Sequence, residues 1–265
     1  MVQKRTNLSP LVRLTLSFDK ELNLDKNGVF GRETYEKYIE RHREVLAKQD
    51  QLLRSWITLN AALFLVLNGQ NWVIPVIGVQ ISSIPAIHEI LLFLSSMTFY
   101  FICAFFVTSQ CYSGVIDQFG NRIVDSNLID PDFFNASRKH YDFFLKLYRP
   151  KLNIWGDDFY QHGRGFAVFS LLMNLIMIAV VLVFPAIHLL IIFSASMQVY
   201  QADWNQYGKW FLLTSVSVIN FGGLAMVFGM TKDFTFKLME HPSDEDGQVD
   251  AVVPQQDKTK SPPES

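Results

Sequence analysis

The chain has 265 residues, 49% hydrophobic and 14% aromatic but only 18% charged, against about 25% charged in a typical soluble chain. This excludes a disordered chain, a coiled coil, a collagen and a disulfide scaffold, and argues against an ordinary soluble domain. A net charge of −2 and a pI of 6.3 leave no basic footprint for nucleic acid.

Residues 1–30 are a polar N-terminal segment. Within it Leu11 to Phe18 alternates apolar and polar, which fits a short strand or an interfacial segment. From Gly31 to Arg54 the period is helical: Tyr35, Ile39, His42, Leu46, Leu53 and Trp56 recur near every 3.6 residues. Acid-first pairs such as Glu33 with Lys37 support that helix. Nothing between Gly31 and Gly69 breaks it, so one helix is expected to run from water into a first membrane span. Its apolar stripe is expected to pack on the middle loop or on a second copy of itself.

A helix crossing ~30 Å of hydrocarbon needs about 20 apolar residues. Stretches 52–70, 87–109, 166–193 and 210–230 meet this, the first least clearly because Asn68, Gln70 and Asn71 interrupt it. The expected fold is therefore all-α and polytopic, with four transmembrane helices and a small cytoplasmic helical subdomain from 31–54 and 112–164. No cleavable signal is read, because the first apolar run follows some fifty polar residues. Of the 23 Lys and Arg, 11 precede the first span, none lies in the first loop, seven lie in the second and four in the tail. Only Lys209 falls in the third loop. The positive-inside rule then places both termini in the cytoplasm, in a plasma (inner) membrane. The domains read as 1–30, a membrane domain 31–240 and a disordered tail 241–265.

The uncharged loop 71–85, with Pro75 and Pro85, is expected in the outer interface or as a re-entrant segment. Asp130 and Pro131 open a further aromatic-rich helix ending near Tyr148. Asp157, Asp158 and His162 suit a helix cap better than a metal site. Cys103 and Cys111, about 12 Å apart along one helix, cannot bridge and read as packing residues.

Polar residues in apolar runs are the candidate site. Asn60, Asn174 and Asn220 sit at similar expected depths, as interhelical hydrogen-bonding glue or as a polar lining. His88 and Glu89 at the outer end of the second span, with His188 in the third, form a candidate outer-face relay. Ser215, Gly222, Ala225 and Gly229 make a small-residue packing face on the fourth.

There is no G-x-S-x-G, P-loop, H-E-x-x-H or C-x-x-C motif. No enzymatic activity, cofactor or metal is expected. Partners are the lipid bilayer, further copies of the chain and a cytoplasmic protein. The function expected is a channel or pore-like role in an oligomer, the alternative a non-catalytic scaffold or accessory subunit that recruits a cytoplasmic partner.

Overall fold

The computed structural model describes residues 4–70, 86–123, 148, 163–203 and 205–238. Among these are five helices, α1 (Pro10–Leu24), α2 (Arg32–Leu67), α3 (Ile87–Ile123), α4 (Arg164–Gln201) and α5 (Gln206–Thr231). Two short strands, β1 (Lys4–Leu8) and β2 (Phe234–Leu238), pair with one another. Residues 4–7 and 235–238 fall in one unit, in which the Thr235 hydroxyl donates to Asn7 Oδ1 at 2.8 Å. The helices belong to the second, 8–234.

The first helix replaces the expected strand or interfacial segment. Ser9 takes extended backbone angles and its Oγ accepts the Val12 N–H at 3.3 Å, while Pro10 supplies the first helical position. Beneath the apparent alternation, Leu11, Thr15, Phe18 and Leu22 recur at helical spacing, and Phe18 and Leu22 enter a core with α2 and α3. The turn to α2 is closed by Asp25, whose two carboxylate oxygens accept the N–H groups of Val29 (3.0 Å) and Phe30 (2.7 Å). Those bonds hold its carboxyl below the usual carboxylate range, Phe30 being the main cause.

α2 runs unbroken for 36 residues. Its first turns carry the exposed ion pairs Arg32–Glu36, Lys37–Glu33 and Arg41–Glu44, which add little to stability. The helix stops at Gly69, whose φ of +67° lets the amides of Gly69 and Gln70 turn back to Val66 and Leu65.

Two main hydrophobic cores form along α2 and α3. Tyr35 and Ile39 of α2 pack with Leu22 of α1 and with Val115, Ile116 and Phe119 of α3. The stripe of α2 is therefore covered within the same chain, by α1 and the far end of α3. Phe119 is the hub, with ring centroids 5.2 Å from Tyr35, 5.3 Å from Phe18 and 5.8 Å from Tyr38. Arg122 donates to the Leu22 carbonyl and ties the end of α1 to α3. Toward the other end, Leu63 and Val66 meet Leu91 and Leu92 of α3, Ile192, Ala195 and Val199 of α4 and Val216 of α5.

Three helices, α3, α4 and α5, are long and apolar enough to cross a membrane. The apolar part of α2 is shorter, and the loop 71–85 that would extend it lies outside the described residues, as do the expected helix after Asp130 up to Leu147, the Asp157–Asp158–His162 cluster and the tail 241–265. α4 has 38 residues, about 57 Å at 1.5 Å per residue. That exceeds the ~30 Å hydrocarbon core. Pro185, which lacks an N–H, divides it. Beyond Pro185 the helix buries His188, Ile192, Ala195 and Val199; before it only Ser170 is buried, donating to the Tyr148 carbonyl.

The packing face of α5 differs from the small-residue stripe expected. Val216, Asn220, Gly223 and Met230 are the buried positions. A Cβ at Gly223 would meet Cys103 Sγ at 3.3 Å and Tyr100 Cα at 3.4 Å, so the close approach is made there. Gly222 faces the Tyr100 ring at 3.6 Å, Gly229 has nothing within 4 Å, Ser215 is half-buried and Ala225 is exposed. One residue is about 100° around a helix. The intrachain contact line of α5 therefore runs about one position from that stripe.

Candidate functional site: a polar cluster among four helices

Where α2, α3, α4 and α5 meet, four polar side chains gather around His188, which is 1% exposed. Each helix contributes by its register. Trp56 and Asn60 are four apart on α2, and Ser96 and Phe99 three apart on α3. His188 follows Pro185 on α4, and Asn220 stands four after Val216 on α5.

Backbone carbonyls fix both amides. Asn220 Nδ2 donates to Val216 O and to Ser96 Oγ, each at 2.9 Å. Asn60 Nδ2 donates to Trp56 O at 2.8 Å. A carbonyl only accepts, so in both residues nitrogen faces the backbone and oxygen faces the imidazole. Asn220 Oδ1 lies 2.9 Å from His188 Nε2, and Asn60 Oδ1 lies 2.8 Å from Nδ1. The Trp56 indole N–H also points at Nδ1, at 3.2 Å.

The tautomer follows by counting conflicts. With the proton on Nε2, the ring donates to Asn220 and accepts from Trp56, leaving only the Asn60 oxygen opposed to a lone pair. With the proton on Nδ1, two contacts fail: Nε2 opposes the Asn220 oxygen, and the Trp56 N–H opposes Nδ1–H. The Nε2–H form is the consistent one. Aromatic faces close the site, with Phe99 4.6 Å and Trp56 5.2 Å from the imidazole by ring centroids.

Asn60, His188 and Asn220 thus share one site, though the two amides meet the histidine and not each other. Asn174 does not join them. It is exposed on α4, 14 residues before His188, or about 21 Å along the helix. Depth counted from the end of an apolar run misplaces it, because α4 is longer than a bilayer is thick. The relay among His88, Glu89 and His188 is also not assembled. His88 and Glu89 are half-buried at the start of α3, whereas His188 packs on Phe99, 11 residues or about 16 Å further along. The third apolar run reads as ending at Phe193, but α4 continues to Gln201, so His188 lies further from the helix end. Among the described residues no three His, Cys, Asp or Glu side chains group as a metal site.

Sequence reasoning missed Trp56 and Ser96 as members. Trp56 lies on the same stripe as Asn60, one turn away, but reads as an interfacial anchor. Ser96 belongs to a Ser95–Ser96 pair inside an apolar run, a weak sign of a polar neighbour.

Compared with known proteins, the chain matches no family model, no curated protein and no solved structure.

Proposed function

We propose that this chain is a four-span integral membrane protein of the plasma (inner) membrane, both termini cytoplasmic, acting as a non-catalytic scaffold or accessory subunit for a cytoplasmic partner. In this reading the apolar end of α2 and the segment after it make the fourth span, and α1 with the first half of α2 and the end of α3 is the cytoplasmic subdomain. The observation that carries it is the packing around Phe119. It joins that subdomain to two membrane helices through side chains rather than through a linker. A partner held there would be fixed relative to the bilayer. The buried contacts by which Trp56 and Asn220 bond His188 across three helices support an anchoring role for these groups.

Reporter fusions test the topology. Fusions after Gln80 and after Asp203 should report the outside, and fusions after Asn127 and after Gln248 the inside. An outside signal at Asn127 would overturn the topology. For the scaffold role, charge reversal at exposed Glu36 and Glu40 of α2 should abolish capture of a cytoplasmic partner while membrane insertion is unchanged.

A channel or pore-like role in a homo-oligomer is the second reading. Asn174 favours it, since an exposed amide on an otherwise apolar helix is costly against lipid and would be satisfied at a seam between copies. Liposome leakage that requires Asn174 and a multimeric mass in detergent would move the assignment there.

A further inference from the structure

We propose that the cleft between α2 and α4 binds an uncharged lipid-like molecule bearing one hydroxyl, with the hydroxyl donating to Asn60 Oδ1. The cleft has a volume of about 340 Å³, at the small end for ligand sites. Ile57, Ala61, Phe64, Phe184, Ile187 and Ile191 supply its apolar walls. Trp56, Asn60 and His188 supply its only polar edge. Phe64 and Ile187 are 53% and 49% exposed, so the cleft opens outward, to where the proposed topology puts hydrocarbon.

The polar edge is one hydrogen short. Asn60 Nδ2 is committed to Trp56 O, so its oxygen must face the ring. Trp56 and Asn220 fix the ring with its proton on Nε2. Asn60 Oδ1 therefore stands 2.8 Å from a nitrogen that gives it no hydrogen, on a side chain only 8% exposed. Protonating His188 would supply one, but at the cost of an ion between apolar walls. The groups around the ring are Trp56 and Asn60 of α2, Ser96 and Phe99 of α3 and Asn220 of α5, with the Cys103 thiol beside Trp56 and Phe99. None of them is a carboxylate that would balance the charge. The missing hydrogen is thus best brought by a neutral donor entering from the cleft. An acceptor with no free donor beside it, along apolar walls, selects an alcohol over an ester or ether. This inference rests on the proposed membrane placement of α2 and α4, and is independent of the scaffold role.

The test uses the full chain in lipid nanodiscs, with Trp72, Trp155, Trp204 and Trp210 replaced by Phe so that Trp56 alone emits. The probes are 9,10-dibromooctadecanol and its methyl ether, whose bromines quench indole fluorescence. The alcohol should quench Trp56 saturably and bind about tenfold more tightly than the ether, the worth of one hydrogen bond. Asn60→Leu should bring the alcohol to the affinity of the ether. Ala61→Phe, which fills the cleft without touching the polar cluster, should remove saturable quenching by both. Equal affinities of alcohol and ether for the parent protein would overturn the hydroxyl assignment even if Asn60→Leu fails to fold. Quenching that rises linearly with probe, or survives Ala61→Phe, would overturn the site.

Discussion

The core around Phe119 and the core around His188 are built on the same two helices, α2 and α3, yet from different chemistry. The first is a knot of rings, Phe18, Phe30, Tyr35 and Tyr38 about Phe119. The second is a polar cluster, in which Trp56 and Asn220 hydrogen-bond one imidazole, Ser96 bonds Asn220, and Asn60 faces the ring. The difference follows from the solvent each end faces in the proposed topology. In water, burying aromatic area is itself a driving force. Between helices in lipid that force is absent, because acyl chains are as apolar as leucine, and cohesion falls to close packing and polar contacts. Gly223 against Tyr100 and Cys103 supplies the close packing, and the histidine supplies the polar contacts.

The largest effect is expected at the aromatic core. Phe119 is 2% exposed and touches four other rings. Phe119→Ala should cost about 3–5 kcal/mol in unfolding measured in detergent. A loss below about 1 kcal/mol would mean that this end is held by something other than ring burial.

The polar core should respond in the opposite sense to hydrophobicity. His188→Leu makes the interior more apolar, yet should destabilise by about 2 kcal/mol because it strands the Trp56 N–H and the Asn220 oxygen. Combining it with Asn220→Leu should cost less than the two single losses added together. A stabilised His188→Leu variant would show that this core is governed by burial, like the other.

An intermediate effect is expected at Gly114, where α1 crosses α3. A Cβ there would come within 2.5 Å of Thr15 Cγ2, a β-branched methyl with little room to move. Gly114→Ala should cost about 1–2 kcal/mol in the same unfolding measurement. Adding Thr15→Ser removes the methyl, keeps a hydroxyl for the Val12 carbonyl, and should restore most of the loss.

Asp25 gives a smaller effect, on the approach to α2. Its pKa lies below the ordinary value of 3.8. A carboxyl depressed by folding contributes stability above its unfolded pKa and loses it as pH falls through the folded pKa. The protection factor of the Phe30 amide should therefore be unchanged from neutral pH down to about 5 and should fall below about 4. Asp25→Asn, which cannot accept both amides through charged oxygens, should remove that pH dependence. Persistence of the dependence in the variant would assign it to another carboxylate.

How much of this was legible in the sequence depends on whether the signal was local. Asn60 and Asn220 stood out because an amide in an apolar run is anomalous wherever it points. The continuity of α2 was legible because no breaker occurs before Gly69. The meeting of His188 with the two amides was not, since it requires the depth of every span, and α4 overruns the bilayer so that neither end gives a reference. α1 was obscured because Leu11, Thr15, Phe18 and Leu22 form a helical face inside a segment that also alternates. The pairing of β1 with β2 was hidden by separation, its partners Asn7 and Thr235 being 228 residues apart.

The smallest effect is expected at Asn174, and it separates the two ways an amide can sit in an apolar helix. Asn60 and Asn220 are 8% and 5% exposed and bonded, whereas Asn174 is exposed on the half of α4 before Pro185. In a single chain Asn174→Leu breaks nothing, so its unfolding free energy should stay within about 0.5 kcal/mol of the parent. Asn220→Leu strands the imidazole and should lose about 1 kcal/mol. If α4 lines a seam between copies, the same Asn174→Leu change should shift the monomer–oligomer balance by several-fold while leaving the fold of each copy intact. Light scattering across a protein dilution series reads that balance directly. An unchanged mass distribution would assign the exposed half of α4 to lipid, and the polar cohesion among the described helices would then lie in the cluster around His188.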